Sequence, residues 1–153
     1  ASEFSNFARM PLYQIEEINL NSVIRSALDL FLESRISISF DENLSISIKG
    51  DKQQLTRIFV NLIRNSIESG ATIIKIEESI NSDFVEILVK DNGKGIEENI
   101  ASKIFDESFS TKSSGMGLGL YMAKNYLNNL KGDILIKETS ENGTTFKIKM
   151  PVS

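Results

Sequence analysis

Three stretches of the chain carry apolar residues at a helical period. Leu20, Val23, Ile24, Ala27, Leu28, Phe31 and Leu32 follow the i, i+3, i+4, i+7 spacing that lines one helical face. Asn19 or Asn21 is suited to cap that helix. A second stripe, Leu55, Ile58, Phe59, Leu62, Ile63 and Ile67, starts behind an Asp51/Gln54 capping pair and stops at Gly70. A third helix is expected over 118–130, with Leu120, Ala123, Leu127 and Leu130 on one face and Gly132 as its stop. Between them lie β-branched stretches with strand character. Residues 36–40 and 45–48 are read as two strands joined by a turn at Asp41-Glu42-Asn43. Residues 72–77 and 84–90 meet around Asn81-Ser82-Asp83, and 134–138 and 144–150 form a closing hairpin through Glu141-Asn142-Gly143.

Residues 91–117 break this regularity. They are rich in Gly, Ser and Lys and hold only a weak helical patch near 100–105, and a long irregular stretch of this kind is usually functional. The first ten residues place Phe4, Phe7 and Ala8 on one helical face before Pro11. They read as the tail of a helix belonging to something upstream, or as a frayed terminus, with 11–17 as a linker. Residues 1–17 are thus an appendage and 18–153 the domain. The element order does not alternate strictly between strand and helix, which argues against a parallel doubly wound sheet. It predicts an α+β fold: a two-layer sandwich with a mixed, mostly antiparallel sheet covered on one face by about three helices.

Composition narrows the chemistry. Of 153 residues 41% are hydrophobic and 25% charged, enough apolar material for a core. The chain has no Cys and no His, which removes thiolate and imidazole chemistry from this segment. A net charge of -4 argues against a nucleic-acid partner.

Three constellations remain. Asn61 and Asn65 are four apart, so they share the edge of the second stripe, where amides must find partners or can offer oxygen to a hard cation. In Val89-Lys90-Asp91-Asn92-Gly93-Lys94-Gly95-Ile96, the alternation Val85, Ile87, Val89 puts Asp91 on the inward face. An inward carboxylate needs hydrogen-bond donors, and an adenine amine would serve; a plain Asp-Asn-Gly turn is the simpler alternative. The stretch Lys112-Ser113-Ser114-Gly115-Met116-Gly117-Leu118-Gly119-Leu120 opens a helix with glycines, a setting whose free N–H groups favour phosphate. It lacks the Gly-Lys-Ser/Thr ending of a Walker A loop.

In this order the three resemble the N box, G1 box and G2 box of the GHKL (Bergerat-fold) ATP-binding superfamily. They look most like the catalytic domain of bacterial sensor histidine kinases. Residues 103–112, Lys-Ile-Phe-Asp-Glu-Ser-Phe-Ser-Thr-Lys, resemble the F box ahead of an ATP lid, and Gly143-Thr144-Thr145-Phe146 the closing hairpin. The opening residues 3–11 also resemble the end of the second dimerisation helix of NtrY-like nitrogen-regulation kinases.

The resemblance implies ATP and Mg²⁺ as ligands. Asp91 would accept the adenine amine, with Gly93, Gly95 and Ile96 in the base pocket and Thr144 reaching the ring. Asn65 would ligate the metal and Asn61 support the phosphates. Gly115, Gly117, Leu118 and Gly119 would lie along the phosphates, Lys112 would reach them from the lid, and Phe105 and Phe109 would anchor that lid. The partners implied are a histidine-bearing dimerisation domain absent from this chain, a response regulator receiver domain and, in the full-length protein, a second protomer. The location implied is cytoplasmic, as part of a membrane-anchored sensor. Two departures stand out: Glu68 sits where some members carry a cation, and the phosphoacceptor His is missing. Hydrolytic relatives place a glutamate where Asn61 stands, and an amide cannot take a proton from water at neutral pH. The alternatives are an anti-sigma-factor-type serine kinase and a non-catalytic nucleotide-sensing module.

Overall fold

The computed structural model describes residues 14–42, 44–107 and 116–153, with only the backbone described over 116–118. The expected helical tail before Pro11, together with Phe109, Lys112 and Gly115, lies outside those residues.

The elements run β1 (Glu16–Asn19), α1 (Leu20–Leu28), a 3-10 turn (Asp29–Phe31), β2 (Ser37–Phe40), β3 (Ser47–Gly50), α2 (Lys52–Glu68), β4 (Ile73–Asn81), β5 (Phe84–Asp91), α3 (Glu98–Ala101), α4 (Met116–Asn129), β6 (Asp133–Ser140) and β7 (Gly143–Pro151). A five-stranded sheet has the order β2-β4-β5-β7-β6. It is antiparallel except for β2, which runs parallel to β4. In β5, Val85, Ile87 and Val89 are buried, while the alternate residues are only half-covered. Ile74, Ile76, Ile134, Ile148 and Met150 join them in one core with the apolar stripes of α1, α2 and α4. On the other parity, Lys90 Nζ meets Glu77 Oε1 at 2.6 Å and Lys147 Nζ meets Glu86 Oε2 at 3.2 Å. This is the layered α+β arrangement expected from the pattern.

The strands flanking residues 41–43 do not form the expected hairpin. β2 joins β4, Ser37 opposite Ile73, whereas β3 pairs with β1 in a separate two-stranded sheet, Ile48 opposite Ile18. A parallel pair needs a long crossover, and β3 and α2 lie within it.

Helix ends follow local chemistry. Asn19 caps α1 by accepting the Ser22 N–H at 3.1 Å. The helix ends at Leu28 and tightens into a 3-10 turn, which shifts the angular phase of the stripe. Leu32, counted with the buried face in the sequence pattern, is therefore 76% exposed. Asp51 caps α2 by accepting the N–H groups of Gln53 and Gln54. The reciprocal half of the capping box comes from another element: the Asp51 N–H donates to Tyr126 Oη on α4 at 2.6 Å. That bond ties the start of α2 to α4.

Candidate functional site

The helix ends and strand ends so placed enclose a cavity of about 360 Å³ at the C-terminal end of β5. Its walls are apolar, from Ile96, Ile100, Ile104 and Phe146. Asp91, Thr144, Ser66 and Asn65 supply the polar lining, and Glu68, Lys94 and Glu97 are its exposed charged residues. An apolar slot with a few convergent polar groups suits a flat heteroaromatic ligand.

Asp91 is the last residue of β5 and keeps the inward parity of Val89. Its Oδ1 accepts the Gly93 N–H at 2.9 Å and the Thr144 N–H at 3.3 Å. Its Oδ2 accepts the Ser66 hydroxyl at 2.7 Å. Three donors therefore orient the carboxylate, which offsets the cost of bringing it to the end of a buried strand. Thr144 lies opposite Asp91 in the β5/β7 register and is buried. Its hydroxyl lies 2.8 Å from that of Thr139, which accepts the Ile96 N–H at 2.9 Å. This chain of bonds ties the loop after β5 to the β6/β7 hairpin.

Gly95 adopts φ +82°, and a Cβ there would overlap the Ser140 carbonyl. Its role is to let the loop pass over the hairpin, so the close approach that requires glycine is made by backbone rather than by a base.

Asn65 lines this cavity, and its Nδ2 is buried without a hydrogen-bond partner. Asn61, one turn earlier, lines the neighbouring groove between α2 and α4 with Arg57, Gly119 and Met122. A Cβ on Gly119 would come within 2.6 Å of Asn61 Nδ2, so glycine lets α4 close on the amide. Gly117, Leu118 and Gly119 fall in the first turn of α4, where helix geometry leaves N–H groups without intrahelical acceptors. From Asp91 through Ser66, Asn65 and Asn61 to Gly119, the three sequence motifs meet along about one and a half turns of α2, a rise of roughly 7 to 8 Å.

Phe105 does not line the cavity. It packs edge-on against Phe146, which does, with ring centroids 6.4 Å apart, and Lys124 Nζ lies 5.0 Å from its ring. Among the residues of the site, Ser66, Ile100, Ile104, Thr139 and Phe146 were not singled out as ligand-contacting from the sequence. Ser66 had a signal: it stands at an apolar-stripe position, seven after Phe59 and four after Leu62, yet is polar and 2% exposed.

The buried Asn65 amide also bears on metal binding. Among the described residues no group of three or more acidic side chains could hold a metal alone. Mg²⁺ is commonly held by one or two protein oxygens together with phosphates and water. An orphaned amide in the cavity wall fits that pattern, since turning it by 180° presents Oδ1 in place of Nδ2.

Comparison with known proteins agrees with this geometry. The family described as histidine kinase-, DNA gyrase B- and HSP90-like ATPase matches residues 50–153, and the chain belongs to it. Within that family it is a catalytic domain of the sensor histidine kinase type. It is 37% identical over 147 residues to sporulation kinase A of Bacillus subtilis, covering 89% of this chain and 24% of that protein. It is 30% identical over 155 residues to the histidine-protein kinase AtoS of Escherichia coli, covering 96% and 26%. The NtrY-like putative kinase of Rickettsia bellii is 28% identical, covering 97% and 25%. The chain thus spans about a quarter of these relatives. The solved catalytic domain of histidine kinase ThkA superposes with a TM-score of 0.79 at 30% identity, covering 90% of this chain and 95% of that one.

Proposed function

We propose that this domain binds ATP with Mg²⁺ and presents the γ-phosphate to a histidine on a dimerisation domain outside the chain, for relay to the receiver domain of a response regulator. The observation that carries the reading is the triply held Asp91 carboxylate in an apolar slot, with an orphaned Asn65 amide on the same wall. Asp91 accepts the exocyclic amine of the base, while Ile96, Ile104 and Phe146 exclude water from its faces. Thr144 offers a hydroxyl to the ring edge. Asn61 and the first turn of α4 lie where the phosphates run, and the N–H groups there stabilise negative charge. Mg²⁺ supplies charge neutralisation on the phosphates, with Asn65 as its protein ligand. Phosphoryl transfer depends on positioning and charge stabilisation, so the absence of a basic side chain at Asn61 is compatible with transfer and disfavours hydrolysis. In the full-length protein we place this domain on the cytoplasmic side, in a homodimeric sensor. Glu68, an exposed residue of the cavity rim, brings no positive charge to the phosphates, so by the family resemblance Lys112 would supply it.

The experiment is transfer of labelled phosphate from ATP to a separately made, histidine-bearing dimerisation fragment. Acid-labile, base-stable label on that fragment is expected; label on serine, or none, overturns the reading. Asn65→Ala is expected to weaken ATP binding about tenfold with Mg²⁺ present and far less in EDTA, the loss of one ligand to a bound ion. Calorimetry in the two buffers reads the difference.

A further inference from the structure

We propose that Ser66 is a positioning residue that sets the purine selectivity of the cavity, by filling one of the two acceptor positions on Asp91 Oδ2. The inference rests on the reading of this cavity as a purine site. Ser66 sits on α2 directly after Asn65, is 2% exposed and lines the cavity. Its hydroxyl carries a single proton, and against a carboxylate it can only donate. The 2.7 Å bond to Oδ2 is a charge-assisted one, among the stronger hydrogen bonds a neutral group can make.

A carboxylate offers about four acceptor positions, two on each oxygen. Oδ1 is filled from the backbone by Gly93 and Thr144. With Ser66 on Oδ2, one position is left facing the slot. An adenine edge brings one donor to such a point, its exocyclic amine, beside a ring nitrogen that accepts. A guanine edge brings two adjacent donors, the ring N–H and the 2-amino group. The single open position satisfies the first and leaves a donor of the second unpaired, a strong basis for rejection in a buried site. Without Ser66, Oδ2 can take both guanine donors, and nothing holds the carboxylate against rotation on that side. The backbone donors make the carboxylate present; the serine makes it count to one.

The test is calorimetry of MgATP and MgGTP binding to the wild-type chain, Ser66→Ala, Ser66→Cys, Asp91→Asn and the Ser66→Ala/Asp91→Asn double variant. Wild type is expected to prefer ATP. Ser66→Ala is expected to lose about tenfold in ATP affinity, as for one charge-assisted hydrogen bond, with GTP unchanged or tighter, so that the ratio collapses. Ser66→Cys, nearly isosteric with a weak donor, is expected to fall between. In the Asp91→Asn background, Ser66→Ala is expected to change nothing further, because its effect passes through that carboxylate. A structural role for Ser66 would lower both affinities equally and add to Asp91→Asn, and either outcome overturns the proposal. An unchanged ATP-to-GTP ratio in both Ser66 variants does so too, leaving the purine site intact. Wild-type protein that binds neither nucleotide overturns the purine reading and this inference with it.

Discussion

Asp91 is held by donors from three separate places: α2, the loop after β5, and β7. Its inward placement was legible from strand parity alone, because alternation of side chains along β5 leaves no choice of face. Its partners were not legible, since Ser66 and Thr144 are 25 and 53 residues distant in sequence. Asp91→Asn keeps the shape and removes the charge. Nucleotide affinity is expected to drop ten- to a hundredfold, the range for a hydrogen bond to a charged group, while thermal unfolding of the free domain shifts by only a few degrees. Unchanged calorimetric affinity would contradict the assignment of this carboxylate to the base. Phe105 shows the converse limit: the motif match assigned it to anchoring the lid, and what the described residues show is its edge-on packing behind the wall residue Phe146.

At the scale of elements, α2 carries Asn61, Asn65 and Ser66, and its first turn is fixed by the Asp51 cap. The Asp51 cap was visible in the sequence as a polar residue ahead of an apolar stripe. The partner of its own N–H was not, because Tyr126 belongs to α4, 75 residues on. Tyr126 is 4% exposed, and its hydroxyl joins the two helices that flank the Asn61 groove. Tyr126→Phe is expected to cost about 1 to 2 kcal/mol in urea unfolding, the value of a lost hydrogen bond that strands a backbone donor. The same variant should also weaken nucleotide binding slightly, by loosening the approach of Gly119 to Asn61. The helix end at Leu28 teaches the same lesson in reverse. Apolar spacing ran on through Leu32, but the switch to 3-10 geometry leaves Leu32 outward. Nothing in the periodicity marks where the winding changes.

Across the whole molecule, the placement of β2 beside β4 has an electrostatic consequence. Glu78 stands four residues along β4 from Ile74, the residue paired with Asp91, and its two carboxyl oxygens are buried without partners. Burial, with Glu42 and Asp41 nearby, raises its pKa to about 7. Glu42 itself is engaged by Arg25, whose Nε donates at 2.9 Å. Because the folded chain holds this proton up to about pH 7 and the unfolded chain releases it near the ordinary value of 4.5, Glu78 costs the fold nothing in charge burial below the lower value. Stability falls as pH rises between the two values, and above the higher the full cost of the buried, unpaired carboxylate is present. Glu78→Gln is expected to be the more stable protein at pH 8 by about 1 to 2 kcal/mol, discounted for partial solvent access, with the gap closing near pH 5. Urea unfolding of both proteins at the two pH values measures it. An equal gap at both would refute the buried, protonated state.

The sequence by itself determined which residues of β5 and α2 turn inward, where the three main helices lie, and which motifs could meet a nucleotide. Each of these follows from periodicities of two or 3.6 residues and from the chemistry of short segments. Only the tertiary structure decided that β2 leaves its neighbour for β4, that Tyr126 completes the α2 cap, and that Ser66 and Thr144 converge on one carboxylate. Those choices depend on which distant surfaces bury best against each other, and local pattern does not encode that.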